Sequence, residues 1–99
     1  MAMFRRLLGD VLRERRLERG MTLRQVSAEA RVSLGYISEI ERGQKEASSE
    51  LLASLCSALD TPLSEVLRNV SEAVAVEEAA TAPTPITVRR PVVASASAA

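Results

Sequence analysis

The stretch from Thr22 to Gly43, TLRQVSAEARVSLGYISEIERG, leaves few choices of local structure. Two short helical patterns lie on either side of a tight break. Thr22 is placed to N-cap the first, and Gln25 stands three residues on. That spacing is a capping box, in which each side chain takes a backbone amide of the other residue. Val26 and Ala30 recur on one face at helical spacing. The break falls at Arg31-Val32. Ser33 is placed to N-cap the second pattern, whose apolar residues Leu34, Ile37 and Ile40 are spaced three apart. Gly43 ends it, because a residue without Cβ enters the left-handed C-cap conformation at no steric cost. The second helix offers Gly35, Tyr36, Ser38, Glu39 and Arg42 on faces that the core does not use.

The rest of the chain reads as three further helices. Residues 5–19 carry an apolar stripe of Leu8, Val11, Leu12 and Leu17, with Arg5, Arg6, Arg13, Arg15 and Arg19 on a solvated face. Gly20 stops that helix and Met21 plugs the core behind it. The central pair spans 23–30 and 34–42. Ser48 or Ser49 caps a fourth helix over 49–59, with Leu51, Leu52, Leu55, Cys56 and Leu59 inward. Thr61-Pro62 restarts the chain, with Thr61 as N-cap and Pro62 at the first helical position. In the fifth helix Leu63, Val66 and Leu67 close the core. Val70, Ala73 and Val74, with Glu77, continue past it as a dimer seam or as a frayed extension. Residues 5–78 thus form the domain. Residues 79–99, rich in Pro and Ala and without amphipathic period, form a flexible tail.

Composition supports an all-α reading. Hydrophobic residues make up 46% of the chain but aromatics only 2%, so the core must be aliphatic. Ninety-nine residues bury a modest core, which pairing with a second copy would help. The 13 basic and 13 acidic residues cancel, but not uniformly. Residues 1–46 hold ten Lys or Arg against seven Asp or Glu, and residues 47–99 hold three against six. The basic half contains the paired helices, which suits phosphate contact. There is no His, and the single Cys56 has no disulfide partner in the chain. Cys56 fits a small buried hydrophobe. No nucleophile–base pair, metal cluster or phosphate loop stands out, so the expectation is no catalytic residue, no metal, no cofactor and no enzyme. The opening MAMFRRLLGDVL reaches Asp10 before an apolar run of signal length, and no stretch suits a membrane span. The expectation is a cytoplasmic protein.

Residues 7–67 resemble the lambda-repressor-like helix–turn–helix proteins, the xenobiotic-response-element family. The resemblance is carried by Leu12-x-x-x-Arg16, Gly20-Met21-Thr22-Leu23, Ile37-Ser38-Glu39-Ile40-Glu41-Arg42-Gly43 and Leu55–Leu59. Narrower stretches resemble the actinobacterial regulators of Clp protease genes: Gly9–Arg13, Ala30–Tyr36, Lys45–Leu52 and the Ala/Val-rich C-terminus. The chain departs from the commonest family pattern at Leu23, where many members carry Gln, and at Ala47, where many carry Pro.

The resemblance implies a five-helix DNA-binding domain whose third helix enters the major groove. It also implies an Arg16–Glu41 pair linking the first and third helices. A major groove admits one helix, and residues near that helix's N-terminus reach base edges. Ser33, Gly35, Tyr36, Ser38 and Glu39 are therefore the candidate readers. For Gly35 the alternative is relief of packing, and for Tyr36 a half-buried ring with its hydroxyl in water. Glu39 either accepts from a cytosine amino group or bonds a neighbouring Arg. Thr22, Arg24 and Gln25 sit where the second helix's N-terminus meets a phosphate. Arg42, Gln44 and Lys45 follow the reading helix toward the sugar–phosphate backbone.

The function implied is a sequence-specific transcriptional regulator, an activator of Clp protease and related proteostasis genes that binds a palindromic operator as a homodimer. Activation would bring RNA polymerase as a partner. The terminal Ala98 and Ala99 look like C-termini that Clp proteases engage. The alternatives are a protein-interaction module and an antitoxin-like autorepressor on the same fold.

Overall fold

The computed structural model describes residues 2–81. Among them are five helices and no strand: α1 Ala2–Glu18, α2 Leu23–Ala30, α3 Leu34–Glu41, α4 Ser49–Ala58 and α5 Leu63–Thr81. Side-chain caps set three of the starts. Thr22 Oγ1 accepts from the Gln25 amide at 3.1 Å while Gln25 Oε1 accepts from the Thr22 amide at 2.8 Å. Ser33 Oγ accepts from the Tyr36 amide at 3.1 Å, and Ser48, not Ser49, accepts from the Leu51 amide at 3.2 Å. Each such cap stabilises its helix by about 1 kcal/mol.

The ends follow one rule. Helices α1 to α4 are each followed closely by a residue with positive φ: Gly20, Arg31, Gly43 and Asp60. Glycine adopts this conformation freely, whereas other residues meet a steric cost of roughly 1–2 kcal/mol. At Asp60, Arg19 helps to hold the turn, with Nη2 donating to the Asp60 carbonyl at 2.6 Å. After α2, Ser27 locks the turn instead: its hydroxyl donates to the Val32 carbonyl at 2.5 Å, and its carbonyl accepts from the Arg31 amide at 2.9 Å.

The core is one cluster built from all five helices: Leu8, Val11 and Leu12 from α1, Val26 and Ala30 from α2, Ile37 and Ile40 from α3, Leu55, Cys56 and the adjoining Leu59 from α4, and Val66 and Val70 from α5. Each large side chain contributes roughly 1.5–3 kcal/mol by leaving water. Helix α1 lies along α5 and crosses α3; α2 packs on α3 and α4. Ion pairs Arg6–Glu77 at 3.2 Å and Arg15–Glu65 at 2.6 Å show that α1 and α5 run antiparallel.

Several sequence expectations need correction. Leu17 is 52% exposed, because it lies half a turn of helix away from Leu8. The buried position near that end belongs to Arg16, and Leu7 joins the buried set at the other end. Leu67 and Leu63 are also exposed. Leu67 lies about 100° round the helix from the fully buried Val66, and Leu63 is the first residue of α5. Val70 is only 2% exposed within the chain's own core, Val74 packs against that core, and Glu77 pairs with Arg6. Val70 is therefore core rather than seam, and half-buried Ala73 lines the hollow between α1 and α5. Thr61 does not cap α5. It is buried, and its hydroxyl is satisfied by the Leu59 carbonyl at 3.0 Å, while the Pro62 carbonyl accepts the first helical bonds from Glu65 and Val66. Helix α1 begins at Ala2 rather than residue 5, and α5 continues through residues 79–81, which the sequence had assigned to the tail. The remaining tail, with Ala98 and Ala99, lies outside the described residues.

The pair expected between Arg16 and Glu41 is present and bidentate. Arg16 Nε donates to Glu41 Oε2 at 2.7 Å and Nη2 to Oε1 at 3.0 Å, while Nη1 donates to the Met21 carbonyl at 2.9 Å. Both residues are under 10% exposed. The hydrogen bond to Glu41 raises the Arg16 pKa above its ordinary value, against the opposing effect of burial. Removing one partner of a buried pair leaves the other charge uncompensated, at about 3–5 kcal/mol. Glu41→Gln should therefore lower unfolding free energy in urea by about 3 kcal/mol. A loss below about 1 kcal/mol would show that the pair is dispensable.

Candidate nucleic-acid interface

Helix α3 buries Ile37, Ile40 and Glu41 and turns its other faces outward. Gly35 and Arg42 are exposed, and Ser38 and Glu39 are half-exposed. A Cβ built at Gly35 would meet nothing within 4 Å among the described residues, so no contact with them requires glycine there. Relief of packing therefore does not explain it, and its helix cost of roughly 1 kcal/mol relative to Ala has no internal offset. A smooth outer surface remains, suited to close approach by a large partner.

Tyr36 is half-buried against the core, and its hydroxyl donates to the Glu46 carbonyl at 3.0 Å. The expected partly buried ring is present, but its hydroxyl bonds the loop after α3 as well as lying near water. This side chain is a strut between α3 and that loop. Arg42 Nη1 donates to Ser38 Oγ at 2.5 Å, which lays the guanidinium along α3. Glu39 makes no side-chain hydrogen bond among the described residues, so the neighbouring-arginine alternative is not realised in the free chain.

The caps leave donors free. The Thr22 and Ser33 hydroxyl oxygens accept from amides, which leaves each hydroxyl proton available. Gln25 uses its carbonyl oxygen on Thr22 and keeps its NH2. The amides of Leu23 and Arg24 open α2, where a helix has no internal acceptor for them. These donors and the helix dipole favour an anion at that end.

Charge is sorted across the molecule. On α1 and in the turn just after it, Arg5 pairs with Glu46, Arg6 with Glu77, Arg15 with Glu65, and Arg19 with Asp60. Among the described residues, Arg24, Arg31, Arg42 and Lys45 carry no ion pair, and all four are exposed. Arg13 and Arg68, on α1 and α5, are likewise unpaired. Cations without an internal acid neutralise phosphates without first giving up an ion pair. Between α1 and α5 lies an open hollow of about 440 Å³ bordered by Asp10, Glu14, Glu18 and Glu72, with Arg15 among them. An acidic hollow of this kind repels a phosphate backbone. Among the described residues the exposed large apolar ones, Phe4, Leu17, Leu63, Leu67 and Val76, lie on α1 and α5 and not on α2 or α3.

Most candidate residues thus share the α2–α3 surface or the segment just after it, with Tyr36 tying the two together. Sequence reasoning placed the break at Arg31-Val32 but gave neither Arg31 nor Ser27 a role in the site. Arg31 carries no glycine signal, yet it occupies the left-handed position that closes α2. No group of three or more His, Cys, Asp or Glu suited to a metal is found among the described residues. Cys56 is buried, and burial pushes its thiol pKa up, which makes it a poor nucleophile.

These features define a helix–turn–helix protein with a polar, cation-flanked outer face. Comparison with known families agrees: residues 12–66 match the helix–turn–helix family model, and the chain belongs to that family, in its xenobiotic-response-element class. The transcriptional regulator ClgR of Mycobacterium tuberculosis is 56% identical over 84 residues, which span 85% of this chain and 75% of that protein. A crystal structure of the clp gene regulator ClgR from Corynebacterium glutamicum matches with a TM-score of 0.74 at 47% identity, over 78% of this chain and 82% of that one. The restriction-modification controller protein C.AhdI from Aeromonas hydrophila matches with a TM-score of 0.61 at 27% identity, over 63% of this chain and 94% of that one. The chain is a DNA-binding transcriptional regulator and not an enzyme.

Proposed function

We propose that this regulator activates Clp protease genes and related proteostasis genes by binding a palindromic operator as a homodimer, in the bacterial cytoplasm. The observation that carries the reading is the 56% identity to a transcriptional regulator ClgR, joined to the match with a clp gene regulator structure. The α2–α3 surface supplies the means. Ser33, Gly35, Ser38 and Glu39 face the base edges of one major groove. Thr22, Arg24 and Gln25 hold one phosphate ridge, and Arg42, Gln44 and Lys45 hold the sugar–phosphate backbone beyond α3. Tyr36 positions the following loop and stays half-exposed beside the same surface.

A two-fold dimer places two such helices about 34 Å apart, one turn of DNA, which is why the operator should be palindromic. With Val70 inside the core, the pairing surface draws on the exposed Leu63 and Leu67, one turn apart on α5. Activation further requires a surface that touches RNA polymerase. A protein-interaction module would need an apolar outer face on α3, and none of the exposed large apolar residues lies there.

Fluorescence anisotropy with a duplex from upstream of the host's Clp protease genes, at about 150 mM salt with mixed-sequence competitor, tests the reading. The expected result is binding that survives competitor, with two chains per duplex. Binding no tighter than to mixed DNA would remove the proposed target. The terminal Ala98-Ala99 is proposed to mark the regulator itself for Clp proteolysis. Replacing both by Asp should lengthen its cellular half-life, and an unchanged half-life would end that idea.

A further inference from the structure

The turn between α2 and α3 contains a side chain that the fold alone does not explain. Arg31 closes α2 in the left-handed region, at φ 60° and ψ 44°. The other non-glycine residue with positive φ is Asp60, and it is accounted for twice. Asp is among the few residues that tolerate this conformation, and Arg19 donates to its carbonyl. Arg31 has neither explanation. Arginine gains nothing locally in this conformation, where glycine would be free of strain. Its guanidinium makes no hydrogen bond or ion pair with any described residue, and the residue is exposed. Ser27 already locks the turn through the Val32 carbonyl, so the Arg31 side chain is not needed to hold it. The chain therefore keeps a strained backbone and leaves the cation unused.

The position supplies a use. Arg31 stands two residues before Ser33, the N-cap of α3. A recognition helix seated by its N-terminal turn brings the preceding turn over the groove, whose width of about 12 Å separates two phosphate ridges. We propose that Arg31 is a phosphate-contacting residue of the DNA interface, holding the backbone across the groove from the α2 N-terminus. The assignment rests on the DNA-binding reading above and adds to it a residue outside the motif's expected contacts. A contact of this kind fixes the seating of α3 without reading sequence.

The test compares Arg31→Gly and Arg31→Lys with the parent full-length chain. It uses the Clp-gene upstream duplex and a mixed-sequence duplex over a salt series. Arg31→Gly removes strain and charge together, so its melting temperature should rise while its affinity falls about three- to tenfold for both duplexes alike. The slope of log affinity against log salt should shrink by about two, one for each chain of the dimer. Arg31→Lys should keep the parent's salt slope. An Arg31→Gly chain that binds both duplexes with the parent's affinity and slope overturns the proposal and leaves the DNA reading standing. A loss confined to the Clp-gene duplex also overturns it, because the residue would then be reading bases. If the parent binds neither duplex, the DNA reading and this proposal fall together.

Discussion

The bidentate pair between Arg16 and Glu41 fixes the part of the molecule on which the rest depends. It joins the end of α1 to the end of α3, and the third donor of the same guanidinium holds the Met21 carbonyl at the entry to α2. Desolvating two charges offsets much of their attraction, so the pair's main effect is on geometry. Close backbone contact reinforces it. A Cβ at Gly9 would lie 2.6 Å from the Glu41 carbonyl oxygen, and one at Gly43 would lie 2.9 Å from the Arg6 Cα. Helix α1 thus touches the end of α3 nearly backbone to backbone. The angle at which α3 leaves the core is set by contacts that allow little adjustment.

That rigid base lets the outer face of α3 give up internal interactions. Among the described residues a Cβ at Gly35 would meet nothing, the Glu39 carboxylate has no hydrogen-bond partner, and the cations flanking the helix have no ion-pair partner. On the α1 side most of the arginines are paired. Arg5, Arg6, Arg15 and Arg19 each meet an acid, and Asp10, Glu14, Glu18 and Glu72 border the hollow between α1 and α5. A formal net charge of zero therefore conceals a polarised molecule. The zero sum removes little from DNA binding, because exposed charges beyond about 8–10 Å are screened at physiological salt. Local arrangement decides the contact.

The caps and the helix–turn–helix were legible because their chemistry is local. A capping box needs only the residues at both its ends, and Thr22 and Gln25 supply them. Resemblance, not spacing, pointed to Arg16 and Glu41, since nothing local marks two residues 25 positions apart as partners. Leu17 was assigned inward although its angle from Leu8 places it outside; Arg16 took the buried place because Glu41 waited there. Val70 could have faced a partner or α1, and only the antiparallel packing of α1 on α5 decides it. Thr61 looked like a cap, but its burial gave its hydroxyl a different task. The break at Arg31-Val32 is legible but its left-handed cap is not, because such a cap is read from Gly or Asn and arginine carries no such signal.

The account holds that one face of the molecule, built on α2 and α3 and fixed by α1, meets DNA. Backbone amide chemical shifts of the isotope-labelled full-length chain, followed by NMR as the Clp-gene duplex is added, test this most directly. The account predicts the largest changes at Leu23, Arg24, Gly35, Ser38 and Arg42, with small ones at Asp10, Glu14 and Glu72. The largest changes along the α1–α5 hollow, with Gly35 and Ser38 unmoved, would contradict it.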